Sequence, residues 1–354
     1  MQAVLDILRE GIERNDHLGA QVYVWHDGRV VTDAAVGQSR PGVPMTTDAL
    51  LFWLSMGKPI TAIGIAHLVG RGLLDLNKPV ATYIPEFAVG GKEAITTRHL
   101  LSHTGGFRSV SSNFSAATYE EIIDRICNHP IEPDWEPGKR AGYHVASSWY
   151  VLGELIRRRS GRTVLNFIRE TVFEPLNMRD CWLGMPAELF HRYGERIARF
   201  YLTDRPGEVP REHATANTEA YATLCRPGAN ARGPVNQLGL FYQWLLEERR
   251  KAPTTLAAEF TQRQRTGLRD ETFGQEIDWG YGFLIQTGEH RYGYGPHASR
   301  DAFGHSGNQS SCAFADPAFD LVVAWATNGM CGETCHQQRQ NAINAAIYEA
   351  LDLD

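Results

Sequence analysis

The two ends of the chain carry the same short pattern in opposite order, and nothing else restricts the fold as much. The opening "MQAVLDILREGIERNDHLG" sets Val4, Ile7, Leu8 and Ile12 at i, i+3, i+4 and i+8, one face of a helix. "AQVYVWHDGRVVTDAAVG" follows as a hairpin. Val22 and Val24 alternate with Tyr23 and Trp25, Asp27-Gly28 supplies the turn, and Val30 and Val31 begin the return strand. Near the other end, "SSCAFADPAFDLVVAWATNG" places two apolar runs around Asp316-Pro317. "NAINAAIYEALDL" then lays Ile343, Ala346, Ile347, Ala350 and Leu351 on one helical stripe. Helix plus hairpin at the start, and hairpin plus helix at the end, predict one antiparallel sheet built from both termini with helices packed on it. The fold class expected is α/β in the α+β sense.

The middle of the chain is different. From about Asp75 to Leu245 the signals are mostly helical. "TYEEIIDRI" carries a capping box, Thr118 with Glu121 three residues later. "SSWYVLGELIRRRSG" and "TVLNFIRETVFEPL" keep the helical period, and polar loops such as "TDRPGEVPREHATANTE" separate the segments. At 354 residues the chain exceeds the roughly 100–200 typical of one domain. The expected division is residues 1–74 with 246–354 as the sheet domain and 75–245 as a mainly helical one, with the active site at their interface.

Composition excludes several classes of partner. Hydrophobic content is 43% and charged content 21%, enough for a sizeable core. The net charge of −6 and the lack of like-charge blocks beyond Arg157–Arg159 give no support for nucleic acid or an anionic membrane as partner. The N-terminus lacks a basic leader, a long apolar run and a small-residue cleavage site, and no run reaches the roughly 18 apolar residues of a membrane span. A cytoplasmic location is expected. Of six scattered cysteines only Cys331 and Cys335, in "CGETCH", are close. A zinc site would want more ligands than these two, so loop or core thiols are expected, with no metal and no cofactor. There is no P-loop, no G-x-G-x-x-G after a strand and no H-E-x-x-H.

The chemistry-bearing stretch is "FWLSMGKPITA", Phe52 to Ala62. Residues 55–69 are apolar nearly all round, as in a buried helix, with Pro59 in the first turn, where a missing N–H is best tolerated. Ser55 would stand at the helix N-terminus, with Lys58 one turn on and on the same side. A desolvated lysine there has a lowered pKa and can help remove the serine proton. By itself Ser-x-x-Lys equally describes an N-cap serine beside a solvated lysine.

The surroundings carry more. "LLFWLSMGKPITAIGIAHLVGRGLLDLNKPVATYIPEF" followed by "ITTRHLLSHTGGF" resembles the serine β-lactamase-related superfamily. That superfamily holds class C β-lactamases, D-amino-acid peptidases, penicillin-binding proteins and family VIII carboxylesterases. The resemblance continues through "EPGKRAGYHVASSWYVLGELI", "GANARGPVNQLGLFYQWLL" and "FGHSGNQSSCAFADP", in family order from about Gly19 to Asn328. It implies a β-lactamase/transpeptidase-like fold and an acyl-enzyme on Ser55, assisted by Lys58. Tyr143 would be a phenolate-like base and then the acid to the leaving group. The backbone N–H groups of Ser55 and Asn308 would form the oxyanion hole. His305, Ser306 and Gly307 would be the third motif, with Gly307 letting substrate approach the strand, and His144 would join them at the substrate. The plain readings beside these are a half-buried aromatic for Tyr143 and strand-end packing for His305.

Two departures bear on the substrate. The Tyr-x-Asn of β-lactamases and D-peptidases is here Tyr143, His144 and Val145, and the interval to Gly153 is one residue longer than in the Tyr-Ser-Asn members. His305 replaces the Lys of Lys-Thr-Gly, as in many family VIII esterases. Groups for a peptide-like amide and a carboxylate are thus both missing. A small-molecule ester with a short or medium acyl group is the expected substrate, with acyl transfer to an alcohol or amine as the alternative. β-Lactamase or D-peptidase activity is disfavoured. Trp135, Trp149, Trp279 and Tyr281 are candidates for an acyl pocket, Trp53 for the core, and His99 and His103 for capping and turn positions. Phe107 to Phe114 reads as a polar loop at the edge of the site.

Overall fold

A computed structural model describes residues 1–110, 117–288 and 292–354. The loop expected at Phe107–Phe114 therefore lies partly outside the described residues. Helix α1 is Gln2–Glu13, with Val4 and Leu8 buried. Strands β1 (Gly19–His26) and β2 (Arg29–Arg40) follow as the expected hairpin, and β3 is Val43–Pro44. Asp27 and Gly28 turn it at φ of 48° and 78°, the paired positive values of a tight hairpin turn.

The chain then makes β4 (Leu51–Leu54) and helix α2 (Lys58–Gly70). Helices α3 (Tyr119–Asn128) and α4 (Ser147–Ser160) belong to the helical part, with the Thr118–Glu121 capping box formed. Short strands β5 (Trp182–Leu183) and β6 (Ala231–Gly233) pair with each other, and β6 also pairs with β4. Helix α5 is Val235–Lys251. Strands β7 (Asp278–Trp279), β8 (Leu284–Ile285), β9 (Phe303–Gly307), β10 (Ser311–Asp316) and β11 (Leu321–Thr327) lead to helix α6 (Glu333–Glu349).

The main sheet has the order β7-β8-β9-β10-β11-β1-β2-β3, and every neighbouring pair is antiparallel. The two terminal hairpins meet where β1 pairs β11, with Val22 opposite Trp325. Successive side chains on a strand point to opposite faces. Val22, Val24, Val323 and Trp325 thus pack with Val4, Leu8, Ile343 and Ile347 of α1 and α6. Tyr23, Trp25, Val322 and Ala324 pack with Phe241, Tyr242 and Leu245 of α5 on the other face. Each valine, leucine, isoleucine or phenylalanine among them contributes about 1.5–3 kcal/mol of burial free energy, so the sheet is anchored on both sides.

Two boundaries differ from expectation. Helix α5 packs on β1, β10 and β11, although the sequence reading assigned residues up to 245 to the helical part. Its period is the same as that of the helices before it, and only its apolar partners reveal its side. Helix α6 begins at Glu333, ahead of the apolar stripe, and Ala350 lies exposed beyond its end. No helix among the described residues is long and apolar enough to cross a membrane.

Candidate active site

Strand β4 delivers the nucleophile. It ends at Leu54, held at φ 52°, a left-handed value that costs a branched side chain of order 1–3 kcal/mol. That bend turns the chain into one 3₁₀ turn, Ser55–Gly57, which runs straight into α2. Gly57 is required here because a Cβ would overlap that of Ala231 on β6. Ser55 is partly exposed, while nearly all of α2 is buried, as its apolar sequence demands.

Lys58 is fully buried. Its Nζ donates to Gly228 O at 2.6 Å and Val145 O at 3.0 Å, and lies 2.9 Å from Ser55 Oγ. Burial without a carboxylate partner holds its pKa well below the ordinary lysine value. A neutral amine has two N–H groups and one lone pair. Two carbonyls take the N–H groups, which leaves the lone pair for the serine proton.

Tyr143 is buried above Lys58, whose Nζ lies 5.2 Å from the ring centre. Its phenol interacts with the Ser55 hydroxyl. Burial raises its pKa, the Ser55 contact opposes the rise, and the charge of Asp270 adds to it. Burial thus works against the charged form of each group, whereas the phenolate-like Tyr143 expected from the sequence would draw on Lys58 as a cation.

Three residues that sequence reasoning passed over hold Tyr143 in place. Asp270 Oδ1 accepts the Tyr143 N–H at 3.0 Å, and Asp270 is itself paired with Arg265 at 3.0 Å in full burial. Thr272 Oγ1 donates to Tyr143 O at 3.1 Å. Arg265 also donates to Ser102 O, joining this support to the helical part. "RDET" carries no periodic or motif signal, so this contact becomes visible only in three dimensions.

Ser55 and Tyr143 open onto a cavity of about 290 Å³, shared with His305, Ser306, Gly307 and Asn308 from the end of β9. His305 Nδ1 donates to Ser306 O at 2.7 Å, and its buried Nε2 has no hydrogen-bond partner among the described residues. Burial first, then the Lys58 charge, press its pKa down to about 3, so the ring is neutral. Gly307 lines the cavity, and its smallness also meets a packing need. A Cβ there would overlap the Trp53 carbonyl oxygen and the Ser311 hydroxyl, so the residue lets β9 lie against β4.

His144 does not reach the cavity, contrary to expectation. Its Nδ1 bonds Ser147 Oγ at 2.9 Å and its ring packs on Phe107, so it is a buried, neutral core residue with its pKa near 3. Val145, the next residue, lines the cavity instead. Of the aromatic candidates only Trp279 does so. Trp149 is buried beside Lys58, Trp135 lies under Arg108 and Arg140, and Tyr281 packs on Phe260. Trp53 is core, as expected, donating to Gly233 O. His99 caps Thr96, as expected. His103 takes the turn at φ 59°, and its ring also supports Tyr143 and Trp279 at 4.7 and 4.6 Å. Phe273, Leu284 and Tyr292 add apolar wall, and the start of α6 adds a polar one, where Glu333, His336, Gln337 and Gln340 form one helical face. That polar stripe was readable in "ETCHQQRQ" but carried no family motif.

The family model described as Beta-lactamase matches residues 4–346. The esterase EstB of Burkholderia gladioli is 27% identical, over 99% of this chain and 94% of its own length. A crystal structure of a penicillin-binding protein homologue from Caulobacter crescentus is 29% identical with a TM-score of 0.76, covering 98% of this chain and 97% of that one. A family VIII carboxylesterase structure is 25% identical with a TM-score of 0.77, covering 96% of each chain.

Proposed function

The chain belongs to the Beta-lactamase family, and from that premise we propose that it is a serine hydrolase cleaving uncharged carboxylic esters through an acyl-enzyme on Ser55. Its architecture is the β-lactamase/transpeptidase-like fold. One observation carries the reading: Ser55 Oγ is contacted both by a buried lysine amine and by a buried tyrosine phenol at the mouth of a cavity. The esterase and carboxylesterase among its relatives support it.

In the proposed sequence Lys58 takes the Ser55 proton as Oγ attacks the ester carbonyl. The N–H groups of Ser55 and Asn308 receive the oxyanion. Tyr143 gives its proton to the departing alkoxide and regains one from Lys58. Water, activated in the reverse sense, then releases the acid. The cavity favours a neutral substrate. His305 brings no charge where a lysine would hold a carboxylate, and Glu333 in the wall repels one. β-Lactams, which carry a carboxylate, fit this wall poorly.

p-Nitrophenyl acetate and butyrate test the reading. A burst followed by turnover, abolished in Ser55→Ala, is expected, with negligible cephalosporin hydrolysis. Acylation that stalls until an alcohol or amine is added would replace hydrolysis by acyl transfer. No acylation by any activated ester or by a fluorophosphonate would sink both.

A further inference from the structure

We propose that Asp16, Cys331 and Cys335 form a binding site for a soft divalent cation of the zinc class. In sequence the two cysteines lack further ligands. The fold supplies one, because the segment after α1 lies against the segment before α6. Among the described residues this is the one group whose ligand atoms, one carboxylate oxygen and two sulfurs, all lie within 4.8 Å of one another. Zinc bound at about 2.0–2.3 Å holds tetrahedral ligands roughly 3.5 Å apart, so side-chain rotation alone closes the set.

Three details favour a cation over a plain thiol pair. Asp16 is only 4% exposed, and its carboxylate is paired with Arg14, itself half exposed, so a charge is buried with little compensation. Cys331 is 6% exposed, and the Cys335 sulfur lies within 4.8 Å of its own. Gly332, at φ 87°, turns the chain so that the cysteines bracket the first turn of α6, where the helix dipole favours thiolates. Two thiolates and a carboxylate around a dication leave one negative charge, and Arg339 and Arg14 stand beside it. The half-exposed side of Cys335 leaves a fourth position for water. The cation would tie the chain start to the helix whose Glu333, His336 and Gln340 line the catalytic cavity.

Cobalt(II) is the probe, added to reduced, chelator-treated full-length protein. One equivalent per chain is expected to give thiolate-to-cobalt charge-transfer absorption and tetrahedral visible bands, both displaced by zinc. Cys331→Ser and Cys335→Ser should abolish the charge-transfer band. Asp16→Asn should weaken cobalt binding at least tenfold, and Cys127→Ser should leave it unchanged. Circular dichroism of each variant confirms folding, and Asp16→Asn provides a test that spares both thiols. Absence of the band in wild type, its survival in both serine variants, or a Cys331–Cys335 disulfide whose reduction restores no cobalt uptake would overturn the proposal. None of these readouts uses ester hydrolysis, so this site and the serine chemistry fail independently.

Discussion

Burial alone does not make a lysine catalytic. Lys92 is as buried as Lys58, yet it is wrapped by the carbonyls of Val89, Cys127 and His129 and meets no hydroxyl among the described residues. Lys58 has one carbonyl fewer and Ser55 in its place. Tyr143 completes the set by contacting the same serine. Tyr143→Phe keeps the ring packing and removes only the proton, so kcat for p-nitrophenyl butyrate should fall on the order of 10²–10⁴-fold with an unchanged thermal melt. Near-native kcat in that variant would remove Tyr143 from the mechanism. At this scale Ser55, Lys58 and Tyr143 were legible, because helix spacing and motif order both point at them. His144 was not. Adjacent residues of an irregular segment point in opposite directions, and only packing decides that Val145 faces the cavity while His144 faces Phe107.

Strand β9 and strand β4 meet with no room for a side chain at Gly307, and the oxyanion hole proposed for the Ser55 and Asn308 N–H groups rests on that approach. Gly307→Ala puts a methyl against the Trp53 carbonyl and the Ser311 hydroxyl. It should cost about 1–3 kcal/mol of stability by overpacking, and should lower kcat by parting Asn308 from Ser55. Urea unfolding with parallel kinetics checks this, and a variant as stable and active as wild type would show that the strands have slack. The terminal hairpins were legible as elements, because Asp27-Gly28 and Asp316-Pro317 mark their turns locally. The support for Tyr143 from Asp270 and Arg265 was not, since an ion pair joining a loop to a distant segment leaves no periodic trace.

The whole molecule carries several histidines buried as neutral rings, and this sets its response to acid. His144 and His305 have folded pKa values near 3, and burial also lowers His17, His103 and His336. The unfolded chain takes up these protons near 6.5, before the folded one does. Their contribution to stability is therefore full above about pH 6.5 and is lost as pH falls, for His144 and His305 down to about 3, by about 1.4 kcal/mol per pH unit for each of these two, and in the same direction for the other three. The urea midpoint should drop clearly between pH 7 and pH 5, and a flat midpoint would mean that these rings are not buried neutral. The sheet built from both termini was legible at this scale, because each end carries its own turn and period. The side chosen by α5 was not, because an amphipathic stripe does not name its partner. The central claim, an acyl-enzyme on Ser55, is tested most directly by the intact mass of the chain, acid-quenched during the p-nitrophenyl butyrate burst. The account predicts a mass gain of one butyryl group, located on the Ser55 peptide and absent from Ser55→Ala. Steady turnover with no adduct, or with the adduct on another residue, would contradict it.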